Sequence, residues 1–495
     1  MQAPAPVVEA RRQLFERYLR GDWASRGADT ARISPRPKGA IVPLSLAQEQ
    51  LWLREQMLGG AQRPYNESVT IRASSPLNAT VVERCLADIV RRHEIWRTTF
   101  DTVHGQPVQT VNPAPINFPL RVIDLRTIPE AQREAEFVKL SSEAVRQVFD
   151  LRRGPLLRAM LVTLTETDQR LFIVAHLSIL DGVSVYQVLP LELAVLYKAF
   201  SAGEASPLEE LPIQYADYAY WQRQWLRGEE LEKQLTYWRE QFAGDIPVLE
   251  WPAYGPKATG QTYRGAIDPF KLRQYLTEEL KRVSRYEGVT LFTILVASLG
   301  ALLYHYTHQS DVLIGTPSPA GRKRPETRGM LGYFLNPVVL RLDLSGNPTF
   351  RELMKRVQKV TAEAISYDDV PIEVVAKELC LKTASHDNPI FTIAISLQPQ
   401  IHENGMGWQV TSMDAESGGS VWGLYLAFID TANGLAGRAQ YNPDIFEAAT
   451  ISQTLGDLQA LMTSVADDPG RYISTLLPNL TNGAGAILKP SRGNS

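Results

Sequence analysis

A histidine and an aspartate five residues apart, His176 and Asp181, fall in the stretch Ala175-His176-Leu177-Ser178-Ile179-Leu180-Asp181-Gly182. The stretch follows Leu171-Phe172-Ile173-Val174, an apolar run that reads as a buried strand. An imidazole at the end of such a strand is suited to taking and returning a proton near neutral pH. The Asp181 carboxylate accepts hydrogen bonds only, which suits it to pairing with a cation. Gly182 lets its backbone N–H approach a substrate closely and face a developing oxyanion. Leu177 stands among these groups and can neither take a proton nor donate a hydrogen bond. Strand neighbours point to opposite faces, so His176 and Leu177 cannot both face one site in a regular strand. No partner histidine can be assigned to Ser178 from the sequence.

The remaining histidines, His93, His104, His305, His308, His386 and His402, show no metal-ligand spacing. His305 and His308 are three apart at a helix end, without a third ligand. There is no Gly-rich phosphate loop and no serine nucleophile elbow. No metal and no intrinsically bound cofactor is expected. Cys85 and Cys380, each in an apolar helical pattern, read as small buried hydrophobes, which fits a reducing cytoplasm.

The elements that must position these residues follow from periodicity and caps. Residues 9–20 carry Leu14, Phe15, Tyr18 and Leu19 at helical spacing, so residues 1–40 are expected to form a leader helix and a polar linker. Ser45 is the expected N-cap of a helix through Met57, and Asn78 caps a helix burying Val81, Val82, Cys85, Leu86, Ile89 and Val90. Arg97–Asp101 and Leu157–Thr163 read as strands, and a helix is expected from about Val183 to Ala199. Further helices are expected at Tyr215–Trp225 and Leu231–Phe242. A Pro/Gly-rich stretch at 245–262 reads as a linker between a lobe at 41–244 and a second at 263–480, with a tail at 481–495. The second block repeats the mixture: helices at Thr277–Tyr286, Leu291–Tyr304, Thr349–Ile365 and Pro371–Leu379, strands at Phe391–Leu397, Val421–Ile429 and Leu435–Tyr441, and a last helix from Phe446 to Val465. Such a mixture implies two α/β lobes with mixed α+β sheets.

Bulk properties agree with a globular protein: 495 residues, 44% hydrophobic and 21% charged. A net charge of −3 argues against nucleic acid, although Arg322-Lys323-Arg324 is locally basic. The first residues lack a charged stretch followed by an apolar core, so no signal peptide is read. Leu291–Tyr304 is shorter than the roughly 18–20 residues of a membrane span and reads as a core helix.

The His176 stretch resembles the His-His-x-x-x-Asp-Gly signature of nonribosomal peptide synthetase condensation domains, with Leu177 at the second histidine. Pro43–Trp52 is similar to that family's opening motif, and Arg92-His93-Glu94-Ile95-Trp96-Arg97-Thr98-Thr99-Phe100 to its Arg-His-Glu element. Tyr215-Ala216-Asp217-Tyr218-Ala219-Tyr220-Trp221, Ile314-Gly315-Thr316-Pro317 with Gly321-Arg322, and Gly332-Tyr333-Phe334-Leu335-Asn336-Pro337 continue the series. Asp368-Asp369-Val370-Pro371-Ile372-Glu373 and His386-Asp387-Asn388-Pro389-Ile390-Phe391 complete it in the family's order.

The resemblance implies two chloramphenicol-acetyltransferase-like lobes in a V with a tunnel between them. It implies donor and acceptor carrier proteins docked at opposite mouths, with phosphopantetheine arms presenting a thioester and an amine. It places His176 at the first, supporting histidine position, with one bulged residue as the other alignment. It implies a buried salt bridge between Asp181 and an arginine of the other lobe, for which Arg322 is the candidate. Asn336 is expected as a polar group of the tunnel wall. Trp422 is read as core, with narrowing of the acceptor side as the other reading. The expected activity is an acyltransferase that condenses carrier-bound substrates with an atypical motif. Two other readings stand beside it: a degenerate domain that recruits a carrier protein and a tailoring enzyme, and a coenzyme A-dependent acyltransferase.

Overall fold

In the computed structural model, the described residues are 32–57, 65–251, 263–379, 390–399, 401, 405–412 and 417–477. The chain begins β1 (Val42–Pro43), α1 (Leu46–Met57), β2 (Asn66–Ala73), α2 (Ala79–Arg92), β3 (Thr98–Val103), β4 (Gln106–Val111), β5 (Leu120–Asp124) and α3 (Glu130–Arg146). Then come β6 (Leu157–Thr165), β7 (Asp168–His176), α4 (Leu189–Ser201), α5 (Tyr215–Trp225) and α6 (Gly228–Gln241). The second half runs β8 (Ala266–Lys271), α7 (Gln274–Glu287), α8 (Leu291–Thr307), β9 (Asp311–Ser318), β10 (Asn336–Asp343), α9 (Phe350–Ser366) and α10 (Ile372–Glu378). It closes with β11 (Ile393–Leu397), β12 (Gln409–Ser412), β13 (Leu424–Thr431), β14 (Gly434–Tyr441) and α11 (Ala448–Asp467). The class is mixed α/β.

Local chemistry sets the helix starts. The Asn78 side chain accepts from Thr80 N and Val81 N at 3.0 and 3.2 Å, satisfying two amides that α2 leaves orphaned. Ser45 Oγ accepts from Gln48 N at 3.1 Å at the start of α1. Thr349 and Glu352 form a reciprocal capping box at α9.

A five-stranded sheet has the order β12-β2-β7-β6-β5. β7 sits at its centre, antiparallel to both β2 and β6, and is apolar and buried from Leu171 to Ala175. A six-stranded sheet has the order β10-β9-β11-β13-β14-β8, with parallel pairing of β11 to β9 and β13. A small third sheet joins β1, β4 and β3. β12 comes from the second half yet pairs antiparallel with β2, Gln409 opposite Arg72 and Val410 opposite Ile71. The halves therefore share a sheet as well as a face.

Several elements differ from the sequence reading. The helix expected from Val183 opens with a π-helical turn at Ser184–Val188 before α4 begins. The Ser184 amide and hydroxyl both donate to Asp181 Oδ1 at 2.8 Å, which ties that turn to the motif. β2, β5, α3 and β12 had no counterpart in the sequence reading. α8 is buried from Phe292 to Leu303 inside the second core. Among the described residues, no single helix is long and apolar enough to cross a membrane. The leader helix, residues 252–262 of the linker, the tail, His386–Pro389, Cys380 and His402 lie outside the described residues.

Gly315 on β9 meets the Phe391 ring, which an added Cβ would approach to 1.9 Å. Two separate sequence motifs are thus one packing contact. Gly315→Ala is expected to lower stability by about 1–3 kcal/mol through overpacking. A urea denaturation midpoint equal to the wild type's would show that the ring has room to move.

Candidate active site

The register of β2 against β7 decides which way each motif residue points. Asn66 lies opposite His176 and Glu67 opposite Ala175, and Leu177 N donates to Tyr65 O at 2.7 Å, extending the ladder. Alternation then puts Tyr65, Glu67, Ala175 and Leu177 on one face, and Asn66 and His176 on the other. The first face opens on a cavity of about 140 Å³, where Glu67, Leu177 and Gly182 look across at Tyr333, Gln398 and Tyr425 of the second half.

His176 is only 2% exposed and is not among the residues lining that cavity. Its Nδ1 lies 2.8 Å from Ser178 Oγ, and its Nε2 lies 3.3 Å from Glu55 Oε1. Tyr65 and Phe149 pack edge-on against the ring at 6.2 and 6.5 Å. Ser178, which has no histidine partner on sequence grounds, finds one in His176 itself, because the turn at Leu177–Ile179 brings it back. Ser178 is buried too, and its carbonyl accepts from Gln48 Nε2 at 2.9 Å. The pair braces the wall and does not present a nucleophile to the cavity.

Asp181 and Arg322 are fully buried and meet in a two-pronged ion pair, Nε to Oδ2 at 2.9 Å and Nη2 to Oδ1 at 2.7 Å. Arg322 Nη1 donates to Thr327 O and Met330 O at 2.7 and 2.6 Å, and Nη2 donates to Ser184 Oγ at 2.9 Å. The guanidinium lies 4.1 Å from the centre of the Phe334 ring. With Ser184, Arg322 and the Phe334 amide on its oxygens, the Asp181 carboxylate is occupied and unsuited to taking a substrate proton. Gly182 allows the halves to touch: a Cβ there would come within 2.9 Å of Gln398 Oε1.

Asn336, expected on the tunnel wall, turns away from the cavity. Its Nδ2 donates to Asp368 O and Val370 O at 2.6 and 2.8 Å, pinning that loop to β10, while its neighbours Leu335 and Pro337 line the cavity. Those two carbonyls need a donor inside the core, and an amide supplies it. Trp422, read as core, lines the cavity and packs edge-on against Tyr425 with ring centres 4.8 Å apart.

Sequence reasoning missed Arg54 and Glu67. Arg54 of α1 reaches Glu373 of α10, a cross-half ion pair at the cavity wall. Glu67 lies on β2, half-buried. Burial pushes its carboxyl up to about 7, against the pull of the Arg438 guanidinium. Polar residues alternating with Val69 and Ile71 were a usable strand signal for β2. Among the described residues, no group of three or more His, Cys, Asp and Glu could hold a metal ion.

Removing one partner of the buried pair strands the other. Asp181→Ala and Arg322→Met are each expected to cost about 3–5 kcal/mol, and the double variant less than the sum. Thermal denaturation of the three variants checks this; simple additivity would mean that the pair does not act as a unit.

The Condensation domain family matches residues 38–482. The chain is 41% identical over 441 residues to a linear gramicidin synthase of Brevibacillus parabrevis, covering 88% of this chain and 9% of that protein. It is 38% identical over 447 residues to chondramide synthase cmdD of Chondromyces crocatus, covering 89% of this chain and 11% of that protein. The chain thus spans about a tenth of the length of these relatives. Among solved structures, it resembles the X-domain from teicoplanin biosynthesis with a TM-score of 0.76 and 26% identity, covering 90% of this chain and 99% of that one. An X-domain from the same biosynthesis has also been solved in complex with OxyB. The match across nearly the whole described chain, on the mixed-sheet fold of its structural neighbours, makes this chain a member of the condensation-domain family of nonribosomal peptide synthetases.

Proposed function

We propose that the domain joins an acyl or peptidyl thioester, carried on the phosphopantetheine arm of one carrier protein, to an amine or hydroxyl presented by a second. The observation that carries this reading is the cavity where the two halves meet, lined by Leu177 and Gly182 on one side and Gln398 and Tyr425 on the other. Aminolysis of a thioester needs a neutral amine, close approach and stabilisation of the oxyanion. Positioning alone supplies several kcal/mol, and a backbone N–H such as that of Gly182 is suited to the oxyanion. The domain supplies no cofactor of its own on this reading; the arms bring the substrates. Its cysteine usage suits the cytoplasm.

The second reading is a recruitment module that binds a carrier protein and a tailoring enzyme. Leu177 in place of an imidazole favours it, as does the X-domain captured with OxyB. The ordered motifs disfavour a coenzyme A-dependent enzyme.

The test is purified protein with two carrier proteins bearing a panel of aminoacyl groups, followed by mass spectrometry. Condensed product above the no-enzyme background is expected. Its absence for every pair, with a Leu177→His variant gaining product, would transfer the assignment to recruitment.

A further inference from the structure

We infer that the Glu67 carboxylate is the proton acceptor of the cavity, standing on the strand beside the position where Leu177 replaces an imidazole. The inference rests on the condensing reading above. Glu67 lies opposite Ala175 in the ladder, and Leu177 continues that ladder opposite Tyr65. Glu67 and Leu177 are therefore diagonal neighbours on the cavity face. Such pairs stand about 7–8 Å apart, within reach of a long side chain. The Glu67 carboxylate can thus serve the space in front of Leu177.

The other titratable groups of the cavity are already engaged. Asp181 is held by Arg322 and Ser184. Arg54 is held by Glu373. His176 faces the opposite side of the sheet, against Ser178. The Tyr425 phenol, buried beside Ser396, is pushed up to about 12 and stays protonated. Tyr333 and Tyr65 are phenols as well, and burial holds Tyr333 well above its ordinary range. Burial and Arg438, rather than a hydrogen bond, set the state of the Glu67 carboxylate.

Glu67 is faced from β14 by Arg438, from β13 by Tyr425, and from the turn at Ser184–Val188 by Tyr186. Gln440, two residues from Arg438 on the same face of β14, lines the cavity. An apolar wall on one side and the Arg438 cation on the other hold a carboxylate poised to bind a proton and release it.

In the condensing step, the neutral amine nitrogen attacks the thioester carbon, forming the C–N bond and pushing the carbonyl electrons onto oxygen. The nitrogen gives its extra proton to the Glu67 carboxylate. The carbonyl re-forms, the C–S bond breaks, and the departing pantetheine sulfur takes the proton back from Glu67.

The test uses a substrate pair that the wild type condenses in the two-carrier assay, across pH. Glu67→Gln is expected to slow product formation about 100-fold or more and to abolish the rise in rate with a half-point near 7. Adding Leu177→His to Glu67→Gln is expected to restore at least roughly a tenth of the wild-type rate. A second readout needs no substrate. A carboxyl whose folded value is raised favours the folded state least when ionised, so wild type should lose melting temperature relative to Glu67→Gln as pH rises from about 4.5 to about 7, then hold that deficit. Product formation by Glu67→Gln at the wild-type rate and pH profile overturns the inference and leaves the condensing reading standing. A melting difference that does not change with pH also overturns it, as does failure of Leu177→His to rescue. No product from the wild type with any pair overturns both.

Discussion

The buried contact between Asp181 and Arg322 is the constraint around which the site is organised. Two opposite charges, both at zero side-chain exposure, sit where the halves of the chain meet. Taking a guanidinium and a carboxylate out of water costs several kcal/mol each unless every proton and lone pair finds a partner. That requirement draws Ser184, Thr327, Met330 and Phe334 into fixed places around the pair. Ser184 gives Asp181 both its amide and its hydroxyl, and the chain opens there into a π-helical turn rather than a regular helix start. Gly182, immediately after the aspartate, is pressed toward Gln398, so a close approach of the halves and the cavity wall are set by one short segment.

Other links tie the halves together at lower stakes. His93 shares Glu192 with Arg92 and accepts from Leu331 N at 3.2 Å, tying α2 and α4 of the first half to the loop after Arg322. Burial holds the His93 imidazole below its ordinary range despite Glu192, so it serves there as a neutral acceptor. Tyr215 bridges Ser45 and the carbonyl of Tyr333. In each of these motifs, a polar group must be satisfied inside the core or a ring needs space.

The fold class and the family were legible because those points are local in sequence and come in order. Glycine beside a bulky partner, as with Gly315 and Phe391, leaves a trace at both ends. Arg322 was visible only through the Gly321-Arg322 motif, since its neighbours Lys323 and Arg324 make the segment read as a basic loop. Asn336 was expected on the cavity wall, but its amide is taken up by the carbonyls of Asp368 and Val370. Trp422 both packs on the second core and lines the cavity, so each of its two readings holds in part. The exposure of Asn336, the first residue of β10, depends on which face of the strand the register turns inward, and a one-residue shift exchanges the faces. β12 was invisible because a four-residue strand that crosses to the other half has no partner nearby in sequence. Glu67 was overlooked because β2 was never assigned, and a single acidic residue among polar ones reads as surface until its strand is seen to border a cavity.

Leu177 and Glu67 are linked through the pairing of β2 with the end of β7. A histidine at position 177 would titrate near neutral pH and need a partner for its second nitrogen. Leucine needs none, and at position 177 it adds hydrocarbon to the cavity that Glu67 also lines. The more hydrocarbon the wall presents, the less water reaches the carboxylate, and the higher its affinity for a proton climbs. Arg438 opposes that climb and keeps the charge accessible. The Leu177 side chain and the Glu67 carboxylate share the cavity because one register puts residues 67 and 177 on the same face.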